Sequence, residues 1–174
     1  MGWDVARHTD LSPLWVNVGR PGGVKRLRSL VVMHKVSFAL QREIVAAAMK
    51  VRTDSVGCGD ATGLGMDSNE TLHTRFGDRW EPVTFTGTAK RELGSGLRTA
   101  FDDNTQAIPA IDGPHKFVAT DLYALQADRA GDNLKLVETP NPLMEDSHCD
   151  IAYACALARK AAAISAPQPY VSLV

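Results

Sequence analysis

Cysteine is scarce in this chain: Cys58, Cys149 and Cys155 are all there is, and no two stand as a C-x-x-C pair. Three thiols cannot all pair with one another. A disulfide-stapled scaffold is therefore not expected, and a reduced, intracellular compartment is. No apolar run approaches the roughly 18 residues that a membrane span needs. Charge begins at Asp4 and Arg7, which argues against a secretory leader. There is no self-similarity at a period of about 20–50 residues. There is no G-x-x-x-x-G-K-[ST] loop either, which excludes a P-loop motor. Charge of one sign is also lacking, since 19 Lys and Arg face 20 Asp and Glu for a formal net charge of -1. No global basic field announces nucleic acid. A phosphate site can nevertheless be local, with bound cations supplying the positive charge.

What is present fits one soluble domain: 174 residues, 44% hydrophobic and 22% charged. Residues 2–6 read as a strand, 7–12 as a polar turn, and Leu14 to Val18 as a second strand. Gly19-Arg20-Pro21-Gly22-Gly23 marks a hairpin turn. Leu27 to Val36, with Leu30-Val31-Val32-Met33 at its centre, suits a third strand. Ser37 has the chemistry of an N-cap, and Phe38, Ile44, Val45, Ala48 and Met49 share one helical face. A strand ends at Asp60, followed by a glycine loop and a helix over 69–76. Trp80 to Phe85 reads as a strand, with Pro82 suiting an edge or a strand start, and Thr88 to Phe101 as a helix. Residues 117–130 are expected to be helical, Leu134 to Glu138 a short strand, and Asp150 to Ile164 a long Ala-rich helix. The last residues, 165–174, carry Pro167 and Pro169 and are expected to be a loose tail beyond a domain at 1–164. Hairpin strands followed by alternating helices and strands give a mixed α/β sheet with helices on both faces. The early loops are too short for an all-parallel doubly wound sheet.

Three aspartates carry the chemistry. Asp60 opens Asp60-Ala61-Thr62-Gly63-Leu64-Gly65 at the carboxyl end of Ser55-Val56-Gly57-Cys58, where a strand presents its last side chain. Read alone, it has a second reading as a cap in a simple strand-to-helix turn. Asp4 lies in Gly2-Trp3-Asp4-Val5-Ala6 and shares a face with the small Gly2 and Ala6. Read alone, it is as readily a solvent-facing residue at a sheet edge. Asp150 opens the last helix, whose Ala154, Leu157 and Ala158, with Cys155 alongside, would let it press close on the sheet. The helix dipole alone would favour an acid there. Together, two strand-borne carboxylates and one on a late helix are what a pair of Mg²⁺ or Mn²⁺ ions needs, and such a pair cuts phosphodiester bonds. An all-oxygen donor set suits these ions better than Zn²⁺.

Secondary candidates flank this set. Asp10 could reach a metal through water, or serve only as a turn residue. His148 could orient a phosphate or a water, or simply cap. Lys90 could meet a DNA phosphate. Lys25, Arg26 and Arg28 cluster on the hairpin and could grip a nucleic-acid backbone, while Arg91 and Arg98 are scattered. Cys58 and Cys149 read as small packing residues.

The chain resembles the C-terminal nuclease domain of the large terminase subunit of tailed bacteriophages, the Mu-like prophage branch in particular. The resemblance rests on Gly2-Trp3-Asp4-Val5-Ala6-Arg7 with Asp10, on 36–44, and on Asp60-Ala61-Thr62-Gly63-Leu64-Gly65-Met66. Arg75-Phe76-Gly77, Val83-Thr84-Phe85-Thr86 with Lys90, and His148-Cys149-Asp150 with 154–158 complete it. It implies an RNase H-like fold: a mixed five-stranded sheet, three antiparallel strands then parallel additions, flanked by helices. It implies metal-dependent, largely sequence-independent endonucleolytic cutting of concatemeric viral double-stranded DNA at packaging. Asp4, Asp60 and Asp150 would be the metal-binding catalytic residues for two Mg²⁺ or Mn²⁺ ions, with Asp10 and His148 at secondary positions. The implied partners are an ATPase motor domain, a small terminase subunit and a portal, in the cytoplasm of a bacterial host. Two departures stand out. Met1 directly precedes the first motif, where the family has an upstream ATPase domain, so an excised domain or fragment is expected. Cys58-Gly59 is slimmer than the family's usual strand.

Other readings compete. A resolvase or transposase uses the same fold, and a non-catalytic module could dock on DNA or a portal. A sugar-kinase-like or actin-like phosphate binder needs many more residues than 174.

Overall fold

The computed structural model describes residues 1–6, 10–110, 112–130 and 133–164. Arg7 and the expected tail at 165–174 lie outside the described residues. Six strands form one sheet in the order β5-β4-β1-β2-β3-β6. β1 (Gly2–Trp3), β2 (Ser12–Val18) and β3 (Lys25–Met33) are the expected antiparallel meander. β4 (Gly57–Asp60) and β5 (Trp80–Val83) add in parallel beside β1, and β6 (Gln106–Ala107) adds in parallel beside β3. The sheet is thus six-stranded, not five-stranded. The extra strand is the two-residue β6, too short to leave a periodic signature. β5 is an edge strand, which accommodates Pro82.

α1 (Phe38–Val51) and α2 (Met66–Phe76) cover one face, and α3 (Gly87–Asp102), α4 (Lys116–Ala124) and α5 (Asp150–Ala163) the other. Ser37 caps α1, accepting from Leu40 N at 3.4 Å, and Thr86 caps α3, accepting from Ala89 N at 3.1 Å. The core of the first face is built from large side chains: Trp3, Leu14, Met33, Met49, Leu72 and Trp80. On the second face α5 brings Ala154, Cys155, Leu157 and Ala158 against Trp15 and Cys58. Gly2 is where α5 comes closest. A Cβ there would collide with the backbone of Ala154 and Ala158, so only glycine admits the helix.

One expectation fails outright. The helix anticipated over 117–130 stops at Ala124, and Leu125–Ala130 is strand β7, paired antiparallel with β8 (Asn133–Glu138) in a separate two-stranded sheet. Ala130 pairs with Asn133, and the sequence between them is Gly131-Asp132, a dipeptide typical of two-residue hairpins. The apolar spacing of Phe117, Leu122 and Leu125 masked that signal. No helix among the described residues is long and apolar enough to cross a membrane.

Candidate functional site

Pleat and register bring the acids together. Gly2 pairs with Cys58 and Trp3 with Gly59 on parallel neighbours, so the next residues, Asp4 and Asp60, leave adjacent strands side by side. Gly2 and Cys58 both face α5, and side chains alternate with period two. Asp4 and Asp60 therefore face α5 as well, at the end of the sheet where Asp150 begins that helix.

Each aspartate is fixed through its backbone or its carboxyl oxygens. Asp4 N donates to Pro13 O at 3.1 Å, extending the β1–β2 ladder beyond Trp3. The Ser12 hydroxyl accepts from Trp3 Nε1 at 2.9 Å and lies 2.8 Å from Asp4 O and 2.7 Å from Gln41 Oε1, so its one proton serves either. Gln41 Nε2 in turn donates to Ala6 O and Val36 O. This buried brace holds the chain as it leaves β1. Asp60 Oδ1 accepts from Thr62 N at 2.9 Å. Asn69 Nδ2 donates to Asp60 O and Gly65 O, while Asn69 Oδ1 accepts from Trp80 Nε1. Asp150 Oδ2 accepts from Leu11 N at 3.2 Å and His148 N at 3.3 Å, tying the start of α5 to the start of β2.

All three carboxyls are buried, and burial disfavours their charge. It drives Asp4 well above the usual carboxylate range, and the charges of Asp150 and Asp60 drive it further, while Lys90 opposes. Burial also raises Asp60, against hydrogen bonds from Thr62 and the charge of Lys90. Asp150 is pushed up to about 7 by burial, with Asp121 and Asp10 adding to it and the His148 and Leu11 amides opposing. Among the described residues, no Lys, Arg or His forms an ion pair with Asp4, Asp60 or Asp150. Nor do any three His, Cys, Asp or Glu side chains among them close into a ready-made metal cage. The three acids are neighbours in charge, since Asp150 and Asp60 both act on Asp4.

The secondary candidates divide. His148 Nδ1 pairs with Asp10 Oδ1 at 3.3 Å, and the charge of Asp10 reaches Asp150, so both flank the acids. Lys90 is also nearby, its Nζ 2.7 Å from Glu138 Oε1. Lys25, Arg26 and Arg28 are not brought in. They occupy the end of β3 away from Met33, the residue that pairs with Ser12 near the acids. Lys25 is buried, its Nζ donating to Arg20 O at 2.5 Å, so it is not an exposed hairpin charge. Cys58 and Cys149 are buried and free, as packing residues.

Three groups escaped the sequence reading. Asp121 is fully buried and anchors the start of α5, accepting from Ala152 N, Ser147 Oγ and Asn141 Nδ2. Glu138 accepts from both Lys90 and Tyr153 Oη. Tyr153 had a readable signal: three residues after Asp150, it lies on the same side of α5. Asp121 and Glu138 had none, because their partners are distant in sequence.

No protein-family model and no curated protein matches this sequence. The fold is RNase H-like, a curled mixed sheet flanked by helices. The similar solved structures are phage large terminase nucleases. The magnesium-bound large terminase nuclease from thermophilic phage G20c superposes with a TM-score of 0.69 at 19% identity, over 91% of this chain and 78% of that one. Its cobalt-bound form gives a TM-score of 0.67 at 19% identity, with the same coverage. The Thermus phage P74-26 large terminase nuclease domain gives 0.64 at 18% identity, over 90% of this chain and 75% of that one.

Proposed function

We propose that this protein is a metal-dependent endonuclease that cuts double-stranded viral DNA during genome packaging, as the nuclease part of a large terminase subunit. The observation that carries the reading is the gathering of Asp4, Asp60 and Asp150 at one end of an RNase H-like sheet, buried and, among the described residues, without an ion-pair partner. Support comes from the fold likeness to phage terminase nucleases, one of them named with bound magnesium. The donor set is three carboxylates, which fits Mg²⁺ or Mn²⁺. Two ions between them would activate a water and stabilise the departing 3′ oxygen. The chain's own contribution is to aim the three acids, shield them from bulk water and fix Asp60 and Asp150 through backbone amides. Asp10 and His148 would steady the rim. Residues 1–164 would form the nuclease domain, acting beside an ATPase motor, a small subunit and a portal in the host cytoplasm, within the Mu-like prophage branch.

The test is plasmid nicking and linearisation with Mn²⁺ or Mg²⁺, with and without chelator. Wild type should cut only with metal, and Asp60→Ala and Asp150→Ala should each lose at least about a hundredfold in rate. Undiminished cutting by both variants would remove the assigned site.

A further inference from the structure

Lys90 stands in the first turn of α3, after the Thr86 cap. A cation there opposes the helix dipole, so helix stability does not account for it. Its position is set from outside the helix. Nζ donates to Glu138 Oε1 at 2.7 Å and lies 4.9 Å from the centre of the Tyr153 ring and 5.8 Å from that of Phe85. Tyr153 Oη donates to the same Glu138 oxygen at 2.6 Å. Tyr153 follows Asp150 on α5, and Phe85 follows Val83, the residue that pairs with Asp60. The ammonium is thus held at the rim of the acid site. Its field reaches Asp4 and Asp60, yet neither acid takes it as an ion-pair partner.

From this geometry we infer that Glu138 and Tyr153 are positioning residues that hold the Lys90 ammonium at the rim of the carboxylate site, off the metal-binding oxygens and toward a DNA phosphate. The inference rests on Asp4, Asp60 and Asp150 being the divalent-cation site proposed above. The physical reason is competition. Buried carboxylates without a counter-ion attract any nearby cation, and a flexible lysine stem lets the ammonium fall among them. Glu138 supplies a competing acceptor with a second donor already in place, and burial does not stop its carboxyl from lying below the usual range. Lys90 is about a third exposed, so a phosphate can still reach it.

The decisive measurement is Mn²⁺ binding to the whole chain by isothermal titration, with no DNA present. Glu138→Gln should weaken Mn²⁺ binding about threefold to fivefold, the size of one half-exposed charge interaction. Tyr153→Phe should weaken it less, and Glu138→Asp should retain most of the affinity. In Lys90→Met/Glu138→Gln the loss should vanish, because no ammonium remains to intrude. Wild-type affinity in Glu138→Gln, or a loss that persists in the double variant, would overturn the inference. On plasmid DNA, Lys90→Met should raise KM more than it lowers kcat, with partial rescue by Lys90→Arg; an unchanged KM would remove the phosphate contact. The two readings separate cleanly. A wild type that binds Mn²⁺ with this pattern but never cuts DNA refutes the nuclease and keeps the tether. A wild type that cuts, with Glu138→Gln indistinguishable from it in Mn²⁺ affinity, refutes the tether alone.

Discussion

The two faces of the central sheet are packed by opposite means. Toward α1 and α2 the interior is filled by Trp3, Met49, Leu72 and Trp80, all fully buried. Toward α5 the crossing over β1 and β4 is made by Gly2, Cys58, Ala154, Cys155 and Ala158, with the helix backbone nearly touching β1 and Trp15 and Leu157 filling the space beside it. Large side chains set a spacing; small ones remove it. The acids are on the close-packed side, where a helix can bring its first residue down to the strand ends. The wide face can exchange one large side chain for another, whereas the narrow face has no room even for a Cβ at Gly2.

The strongest way to break this contrast is to widen the narrow side. Gly2→Val should lose at least about 3 kcal/mol in urea unfolding, because a side chain would meet backbone that has no room to yield. The same crowding should separate Asp150 from Asp4 and abolish cutting under conditions where the variant is still folded.

A second effect is electrostatic and confined to the narrow side. Burial pushes the folded carboxyl of Asp150 up to about 7 from an ordinary 3.8. The unfolded chain therefore sheds this proton first. Stability of the metal-free protein should fall as pH rises from roughly 4 to about 7, by up to about 1.4 kcal/mol per pH unit per proton. Thermal melts at pH 5 and pH 8 should show the drop, Mg²⁺ or Mn²⁺ should reverse it at pH 8, and Asp150→Asn should shrink it, the raised carboxyls of Asp4 and Asp60 keeping the remainder.

On the wide face, Met49→Leu should cost less than about 1.5 kcal/mol and leave cutting unchanged, since volume is conserved away from the acids. The smallest effect is expected far from the site. Arg26→Ala with Arg28→Ala should change cutting by less than about twofold at moderate salt. A tenfold loss in that assay would show that the far end of β3 grips DNA after all.

Much of this arrangement was readable in the residues. Alternation and the Gly19–Gly23 turn specify the meander, and Ser37 and the spacing after it specify α1. Asp4, Asp60 and Asp150 stand out because each occupies an element end with small residues around it. What escaped depends on tertiary pairing. β7 follows α4 without a break, and its apolar positions continue the helical spacing closely enough to hide the change of structure. β6 is two residues that pair with β3, a strand far back in the chain. Glu138 takes its meaning from Lys90, 48 residues away. Lys25 looked like an exposed hairpin charge because a lysine whose backbone N–H pairs with Thr105 O and whose ammonium turns back to Arg20 O leaves no local pattern.

Cys149 adopts left-handed backbone, φ 70°, immediately before Asp150. A residue with a Cβ holds that bend only at a cost of about 1 kcal/mol or more. The peptide hydrogen of His148, just ahead of the bend, ends on the carboxylate of Asp150 just behind it. The acid is thus also the clasp that keeps its own approach folded. Truncating it to alanine both deletes a charge and lets the entry to α5 spring open. An asparagine, able to accept the same peptide hydrogen, isolates the charge, and amide exchange at 148–152 should tell the two substitutions apart.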